Sequence, residues 1–204
     1  MIIQDLKPSK HAAGRWLAVM EDGSILRVGE SEVLQFSLHK GKELSQSQAQ
    51  QLLDSIRRSG LKEKALELLS RKPLSRRELE RKLEQWQADE NECAAICDRM
   101  EELGFLDDRR YAALVVGHYS RKGYGQRKLR DELYRRGVAR DLWDEALEQA
   151  GQTEAVIDDF LEKKLKGSTD PKELKRASDA LARRGYSWQE ISEGLRRLGA
   201  RVED

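Results

Sequence analysis

The chain has 204 residues, of which 38% are hydrophobic and 37% are charged, and its mean hydropathy is −0.77, so we expect a thin and distributed core. The 38 Lys and Arg residues balance 37 Asp and Glu residues to a net charge of +1, and this total indicates neither a nucleic-acid-binding nor a membrane-binding protein. No apolar run approaches the length of a membrane span, and the N-terminus lacks the basic and apolar regions of a secretion signal. We therefore expect a cytoplasmic protein.

The first part of the chain, residues 1–44, is predicted to be a small β-rich extension. Residues 15–20 and 24–28 have the composition of two strands, and Glu21-Asp22-Gly23 between them supplies the Asp-Gly turn of a β-hairpin. A lone hairpin is only marginally stable in water. We therefore expect either a third strand from residues 2–6 or contact with the helices that follow. A short helix is predicted over residues 30–36.

From Ser45 onward the signals are helical. Ser45 and Gln48 form a capping-box pattern that begins a connecting helix over residues 45–60, and Gly60 is predicted to end that helix. The rest of the chain is predicted to form three repeats of three helices each. Their boundaries are 61–106 for repeat 1, 107–151 for repeat 2 and 152–204 for repeat 3.

A period of nearly fifty residues relates the three repeats. Ser70-Arg71-Lys72 recurs fifty residues later as Ser120-Arg121-Lys122, and residues 133–138 recur 48 residues later as residues 181–186. Such a period indicates a repeat array, because one small helical unit cannot bury its own apolar face. The apolar positions predicted for the core of repeat 2 are Tyr111, Leu114, Val115, Tyr119, Leu129, Leu133, Leu142, Trp143, Ala146 and Leu147, and those of the first helix of repeat 3 are Val156, Ile157, Phe160, Leu161 and Leu165.

The arrangements that enzymes use are not found in the sequence. There is no phosphate-binding loop, no Gly-x-Ser-x-Gly sequence and no paired histidine motif, and the three histidines are scattered. Cys93 and Cys97 lie four apart beside Ile96 and Met100, a spacing typical of one buried helix face rather than of a zinc site. We predict no enzyme activity, no catalytic residue, no metal site and no cofactor.

The strongest functional signal is the segregation of charge. Residues 121–140 contain eight Lys or Arg and two acids, whereas residues 141–162 contain eight acids and no Lys or Arg. Within the basic segment Arg127, Arg130 and Tyr134 share one face of a predicted helix. Because arginine offers a planar fork for phosphate or carboxylate, this segment could meet an acidic protein groove or a DNA backbone.

Ten residues are therefore candidates for binding a partner protein or DNA. The alternative is that these side chains only solvate an exposed helix or favour its C-terminus through the helix dipole. The candidates are Arg121, Lys122, Arg127, Lys128, Arg130, Tyr134, Arg135, Arg136, Arg183 and Arg184.

Several stretches together resemble the RecX family of bacterial regulators of the RecA recombinase. Residues 16–44, with the turn Leu38-His39-Lys40-Gly41, look like the extension of the longer family members. The stretches that carry the rest of the resemblance are residues 65–79, 103–112, 122–125 and 181–187.

The resemblance implies a mainly α fold, in which three tandem three-helix repeats form an elongated curved array after a small N-terminal β-hairpin element. It implies binding in the deep groove of the RecA filament on single-stranded DNA, limiting its ATP hydrolysis and strand exchange, and hence a role in recombination, DNA repair and the SOS response. No cofactor is implied, and we expect a monomer.

A second hypothesis from a different class is a plain nucleic-acid-binding module. Three-helix units of this size resemble helix-turn-helix folds, and the basic segment 121–140 could neutralise the phosphates of single- or double-stranded DNA. Steep loss of affinity with salt would mark this activity.

Overall fold

The computed structural model describes residues 1–151 and 153–199, and within them the chain is mainly helical with one three-stranded antiparallel sheet. Residue 152 and residues 200–204, the predicted start and end of repeat 3, lie outside the described residues. The chain divides into two compact units. The first contains Met1–Arg71 and Leu83–Arg99, and the second contains Lys72–Lys82 and the chain from Met100 onward.

The N-terminal sheet confirms the predicted hairpin and its third strand. Strands β1 (Ile3–Pro8), β2 (Arg15–Met20) and β3 (Ile25–Gly29) are antiparallel in the order β1-β2-β3. Gly23 has φ +82°, and the Asp22 carboxylate accepts hydrogen bonds from the amide and hydroxyl of Ser24, so the turn has the chemistry that its sequence predicts.

Helix α1 (Glu30–Gln35) follows the sheet directly, and α2 (Gln46–Arg71) then packs against the same core. Ser45 and Gln48 exchange the predicted capping hydrogen bonds. The predicted end at Gly60 is wrong, because α2 continues through Gly60 without a left-handed residue. Leu61, Ala65 and Leu69 extend its buried side past that point, so packing keeps the helix intact.

Eight further helices follow within the described residues, and their order matches three groups of three when the end of α2 is counted first. Local caps set most of their starts: Ser75 with Glu78, and Ser187 with Glu190, form capping boxes, and Asp170 caps a helix that begins with Pro171. The helices are α3 (Arg76–Gln85), α4 (Glu90–Glu102), α5 (Asp108–Ser120), α6 (Gln126–Arg135), α7 (Trp143–Glu148, after a 3-10 turn at Arg140–Leu142), α8 (Thr153–Leu165), α9 (Pro171–Arg183) and α10 (Trp188–Arg197).

Repeats 2 and 3 each have a hydrophobic core of their own. Most of the predicted apolar positions are buried or packed against these cores, including Leu129 and Leu133 in repeat 2 and Ile157, Leu161 and Leu165 in repeat 3. Cys93 and Cys97 are both buried, as core residues should be.

Two apolar positions were assigned to the core wrongly. Leu114 is 50% exposed and Val156 is 37% exposed. Both lie on helices whose buried faces are filled by neighbouring apolar residues. The predicted apolar faces were therefore wider than the faces that the structure buries.

No helix within residues 1–151 and 153–199 combines the length and apolar character needed to cross a membrane.

Candidate interaction surface

Helix α6 presents three of the candidate side chains on one exposed face. Leu129 and Leu133 point into the core of repeat 2, and the opposite side carries Arg127, Arg130 and Tyr134, which are all exposed. We call these three residues the α6 face. Tyr134 is 67% exposed, which is unusual for an aromatic side chain and typical of contact surfaces.

The two arginines that end α6 have a different environment. Glu132 is only 2% exposed and forms ion pairs with both Arg135 and Arg136. Arg136 also donates to the Tyr119 hydroxyl at 3.2 Å, and its guanidinium lies 5.5 Å from the centre of the Tyr119 ring. The charge of Arg136, one of the ten candidates, is therefore half-buried and compensated inside repeat 2.

The basic corner of repeat 3 packs directly on the start of α6. The amide of Gly125 donates to the Arg184 carbonyl at 2.9 Å, and the amide of Arg127 donates to the Gly185 carbonyl at 3.1 Å. A Cβ on Gly125 would lie 2.6 Å from the Gly185 carbonyl group, and Gly185 itself has φ +95° with Lys128 in close contact. The two backbones meet here only because both positions are glycine.

The same junction occurs one repeat earlier. The Ser75 hydroxyl donates to the Arg136 carbonyl, and a Cβ on Gly137 would lie 2.5 Å from the Arg77 side chain. The Arg-Arg-Gly corners of repeats 2 and 3 thus each contact the start of the second helix in the preceding repeat. Their recurrence in the sequence was the available signal, and it was interpreted as a mark of the repeats and as surface charge, not as a contact between repeats.

Three further candidates border a cleft between the turn after α5 and helix α8. Arg121, Lys122 and Arg184 line it together with Lys163 and Lys164, which the sequence analysis did not select. Phe160 and Val156 supply an apolar floor, and the cleft has a volume of about 620 Å³. We call this feature the cationic cleft. The ten candidates therefore do not form one surface. Three make the α6 face, three line the cationic cleft, and Arg183 is exposed beside the corner that packs on α6. Of the other three, Arg135 and Arg136 pair with Glu132, and Lys128 lies in close contact with Gly185.

The described residues hold no group of three or more His, Cys, Asp or Glu side chains placed to bind a metal ion.

These features define a class of protein: a tandem array of three-helix domains whose candidate functional residues are surface arginines, lysines and a tyrosine. Comparison with known proteins then gives the family. The family model for the first three-helix domain of RecX matches residues 62–100, and the model for the second three-helix domain matches residues 107–147.

Two relatives show how far the similarity extends. The regulatory protein RecX of Pseudomonas fluorescens strain SBW25 is 35% identical over 131 residues, which cover 63% of this chain and 84% of that protein. The regulatory protein RecX of Ectopseudomonas mendocina strain ymp is also 35% identical, over 135 residues that cover 65% of this chain and 90% of that protein. The chain belongs to the RecX family, as the resemblance of its sequence motifs predicted.

Two solved structures support the fold. A crystal structure of regulatory protein RecX aligns with a TM-score of 0.76 at 20% identity and covers 97% of this chain and 98% of that one. The crystal structure of RecX from Lactobacillus salivarius aligns with a TM-score of 0.62 at 18% identity, covering 71% of this chain and 98% of that one. The predicted mainly α fold of tandem three-helix domains is confirmed.

Proposed function

We propose that this protein is a cytoplasmic, monomeric regulator that binds the RecA filament on single-stranded DNA and inhibits its ATP hydrolysis and strand exchange. Family membership supports this proposal, since the relatives are named as regulatory proteins. The observation that carries the contact site is the α6 face, where the side chains of Arg130 and Tyr134 form no hydrogen bond or ion pair with any described residue. Their polar groups are thus available to a partner.

The α6 face is also held rigidly. Leu129 and Leu133 fix its inner side in the repeat 2 core, and the backbone of Arg127 is bonded to Gly185 in repeat 3. A surface that is ordered before binding loses less conformational entropy when the complex forms. Arginine and tyrosine are also the residue types that most often dominate binding energy at protein interfaces.

The test is the rate of ATP hydrolysis by RecA on single-stranded DNA as this protein is added. We expect the wild type to inhibit, and we expect the Arg127→Ala/Arg130→Ala/Tyr134→Ala variant to need at least about tenfold more protein for the same inhibition. Arg135 is left in place because it pairs with the buried Glu132. The matched control is Lys172→Ala/Lys175→Ala, which removes two exposed charges from α9. Equal potency of the α6 variant and the control would contradict this contact site.

A matched DNA-binding assay tests the second hypothesis, direct action on nucleic acid. The clustering of Arg121, Lys122, Lys163 and Lys164 at the cationic cleft is the observation that favours it. Inhibition at protein levels too low to bind free DNA supports regulation of the filament. Inhibition that begins only where bare DNA is already coated supports competition for DNA.

A further inference from the structure

The cationic cleft combines a concentration of positive charge with an apolar floor. Five cations surround it, namely Arg121 and Lys122 at the end of α5, Lys163 and Lys164 on α8, and Arg184 after α9. Its floor is apolar, with Phe160 half-buried and Val156 37% exposed. Three segments some twenty to sixty positions apart in the sequence are brought together here, so the concentration of charge is a property of the fold.

Most of this positive charge has no internal counterpart. Lys163 pairs with Asp159 at 2.7 Å. Arg121, Lys122, Lys164 and Arg184 form no ion pair with any residue in the described part of the chain. Like charges held around one concave surface repel each other and concentrate anions from solution. The cationic cleft is therefore suited to a group that carries more than one negative charge.

The apolar floor of the cleft indicates which kind of anionic group it can bind. The Arg184 guanidinium lies 4.6 Å from the centre of the Phe160 ring, so this ring already receives a flat, charged group on one face. Gly123 brings the turn after α5 close to the same place, since a Cβ there would lie 3.2 Å from Arg184 Nη1 and 3.7 Å from Val156 Cγ1. A simple inorganic anion would make no use of this aromatic and apolar floor.

We propose that the cationic cleft binds a nucleotide unit, with its phosphate on Lys122, Lys164 and Arg121 and its base against Phe160 and Val156. The volume of about 620 Å³ is in the range of small-ligand sites, and it is large enough for one nucleotide. Bases stack on aromatic side chains with little regard to sequence, because every base has a flat π face. The same chemistry is presented by a free nucleoside triphosphate and by one nucleotide of a single strand.

This proposal does not depend on RecA, so its test uses the full chain alone. Binding of dATP and of short oligo(dT) strands is measured by calorimetry at low salt. We expect both probes to bind the wild type and the Lys172→Ala/Lys175→Ala control, and we expect at least about tenfold weaker binding to Lys122→Ala/Lys164→Ala. Both double variants remove two exposed lysines, so they change the net charge equally.

A second variant tests the base-binding floor. Phe160→Leu keeps an apolar side chain against the repeat 3 core and removes only the aromatic face. We expect it to weaken binding of dATP by about tenfold while leaving binding of inorganic tripolyphosphate unchanged. Circular dichroism and the unfolding midpoint confirm that the variant is folded before binding is compared.

The possible results distinguish a single strand from a free nucleotide as the ligand. Affinity that rises with strand length assigns the cleft to a single strand, and dATP binding that exceeds oligo(dT) binding assigns it to a free nucleotide. The proposal is overturned if the two double variants bind equally well, if Phe160→Leu weakens tripolyphosphate and dATP alike, or if an oligo-glutamate peptide displaces dATP at equal charge concentration. Loss of RecA inhibition in the α6 variant with normal dATP binding would leave this inference standing.

Discussion

Glu32 is the most deeply buried carboxylate of the N-terminal compact unit, and donors rather than a cation hold its charge. It is 2% exposed and accepts hydrogen bonds from the Gly29 amide and from the hydroxyls of Ser31, Ser55 and Ser59. Burial acts to raise the pKa of Glu32, but the hydrogen bonds from Ser59, Gly29 and Ser31 outweigh it and hold the pKa below its ordinary value of 4.5. The charged carboxylate therefore ties α1 to α2.

Replacing Glu32 with Gln should weaken this attachment in a pH-dependent way. A lowered pKa means that the ionised form favours folding, so its contribution is fully present above pH 4.5 and is lost as the pH falls through the lower pKa of the folded state. We expect urea unfolding at pH 7 to show a wild type more stable by about 2 kcal/mol. The difference should shrink towards pH 3. An equal difference at both pH values would show that the charge of Glu32 does not matter.

Replacing Glu132 should cost more stability than replacing Glu32, because the partners of Glu132 are charged. Replacing Glu132 with Ala leaves the half-buried Arg136 without its carboxylate, and breaking a buried pair from one side costs about 3 kcal/mol. The matched control is Glu145→Ala, which removes the exposed partner of Arg109 and should cost less than about 1 kcal/mol. Urea denaturation measures both, and similar losses in the two variants would contradict a structural role for Glu132.

At the scale of elements, the helix junctions are the structural feature that links repeats 2 and 3. Replacing Gly125 with Ala places a Cβ 2.6 Å from the Gly185 backbone. The atoms in contact there are backbone atoms, so no flexible side chain can move aside. We expect unfolding free energy to fall by about 1–3 kcal/mol, as for overpacked sites, because the hydrogen bonds from Gly125 and Arg127 must lengthen. Urea denaturation measures the change.

Gly60 provides the control for this substitution. Neither glycine has a positive φ, and a Cβ on Gly60 meets no atom within 4 Å. Since Gly60 lies inside α2, its replacement by Ala should stabilise the protein by up to about 1 kcal/mol. A loss of stability at Gly60, or none at Gly125, would contradict the continuous α2 or the close backbone contact respectively.

These elements also show what local sequence could predict. The capping residues Ser75, Asp107, Asp170 and Ser187 specify helix starts through contacts two or three residues away, as Ser45 does at the predicted start of α2. The helix end predicted at Gly60 is wrong because glycine occurs both in helix interiors and at helix ends. Only the packing of Leu61 and Ala65 decides between the two. Tertiary contact, not local preference, makes that choice.

For the binding surfaces of the molecule the limit is similar. The α6 face follows from helical spacing, because Arg127, Arg130 and Tyr134 are neighbours on one helix. The burial of Arg136 and the meeting of Lys122 with Lys164 depend on how separate helices pack. No periodicity within one segment encodes either, so the ten candidate residues could not be divided into separate surfaces from the sequence.

At the scale of the whole molecule, a net charge of +1 means that the protein as a whole attracts an anionic partner only weakly. Any electrostatic contribution to RecA binding must come from local charge such as the α6 face. The Debye length falls from about 30 Å at 0.01 M salt to about 10 Å at 0.1 M, so local attraction should be strongest at low salt.

Salt therefore provides a test that compares local with total charge. Wild-type protein and Arg127→Ala/Arg130→Ala are compared by the amount needed for half-inhibition of RecA ATPase across this salt range. Salt also acts on RecA and its DNA. The informative quantity is therefore the amount of variant needed for half-inhibition divided by the amount of wild type needed, at each salt concentration. We expect this ratio to fall as salt rises, whereas the same ratio for the Lys172→Ala/Lys175→Ala control should stay near one. A ratio for the α6 variant that does not change with salt would mean that its arginines act through short-range contacts instead of through their charge.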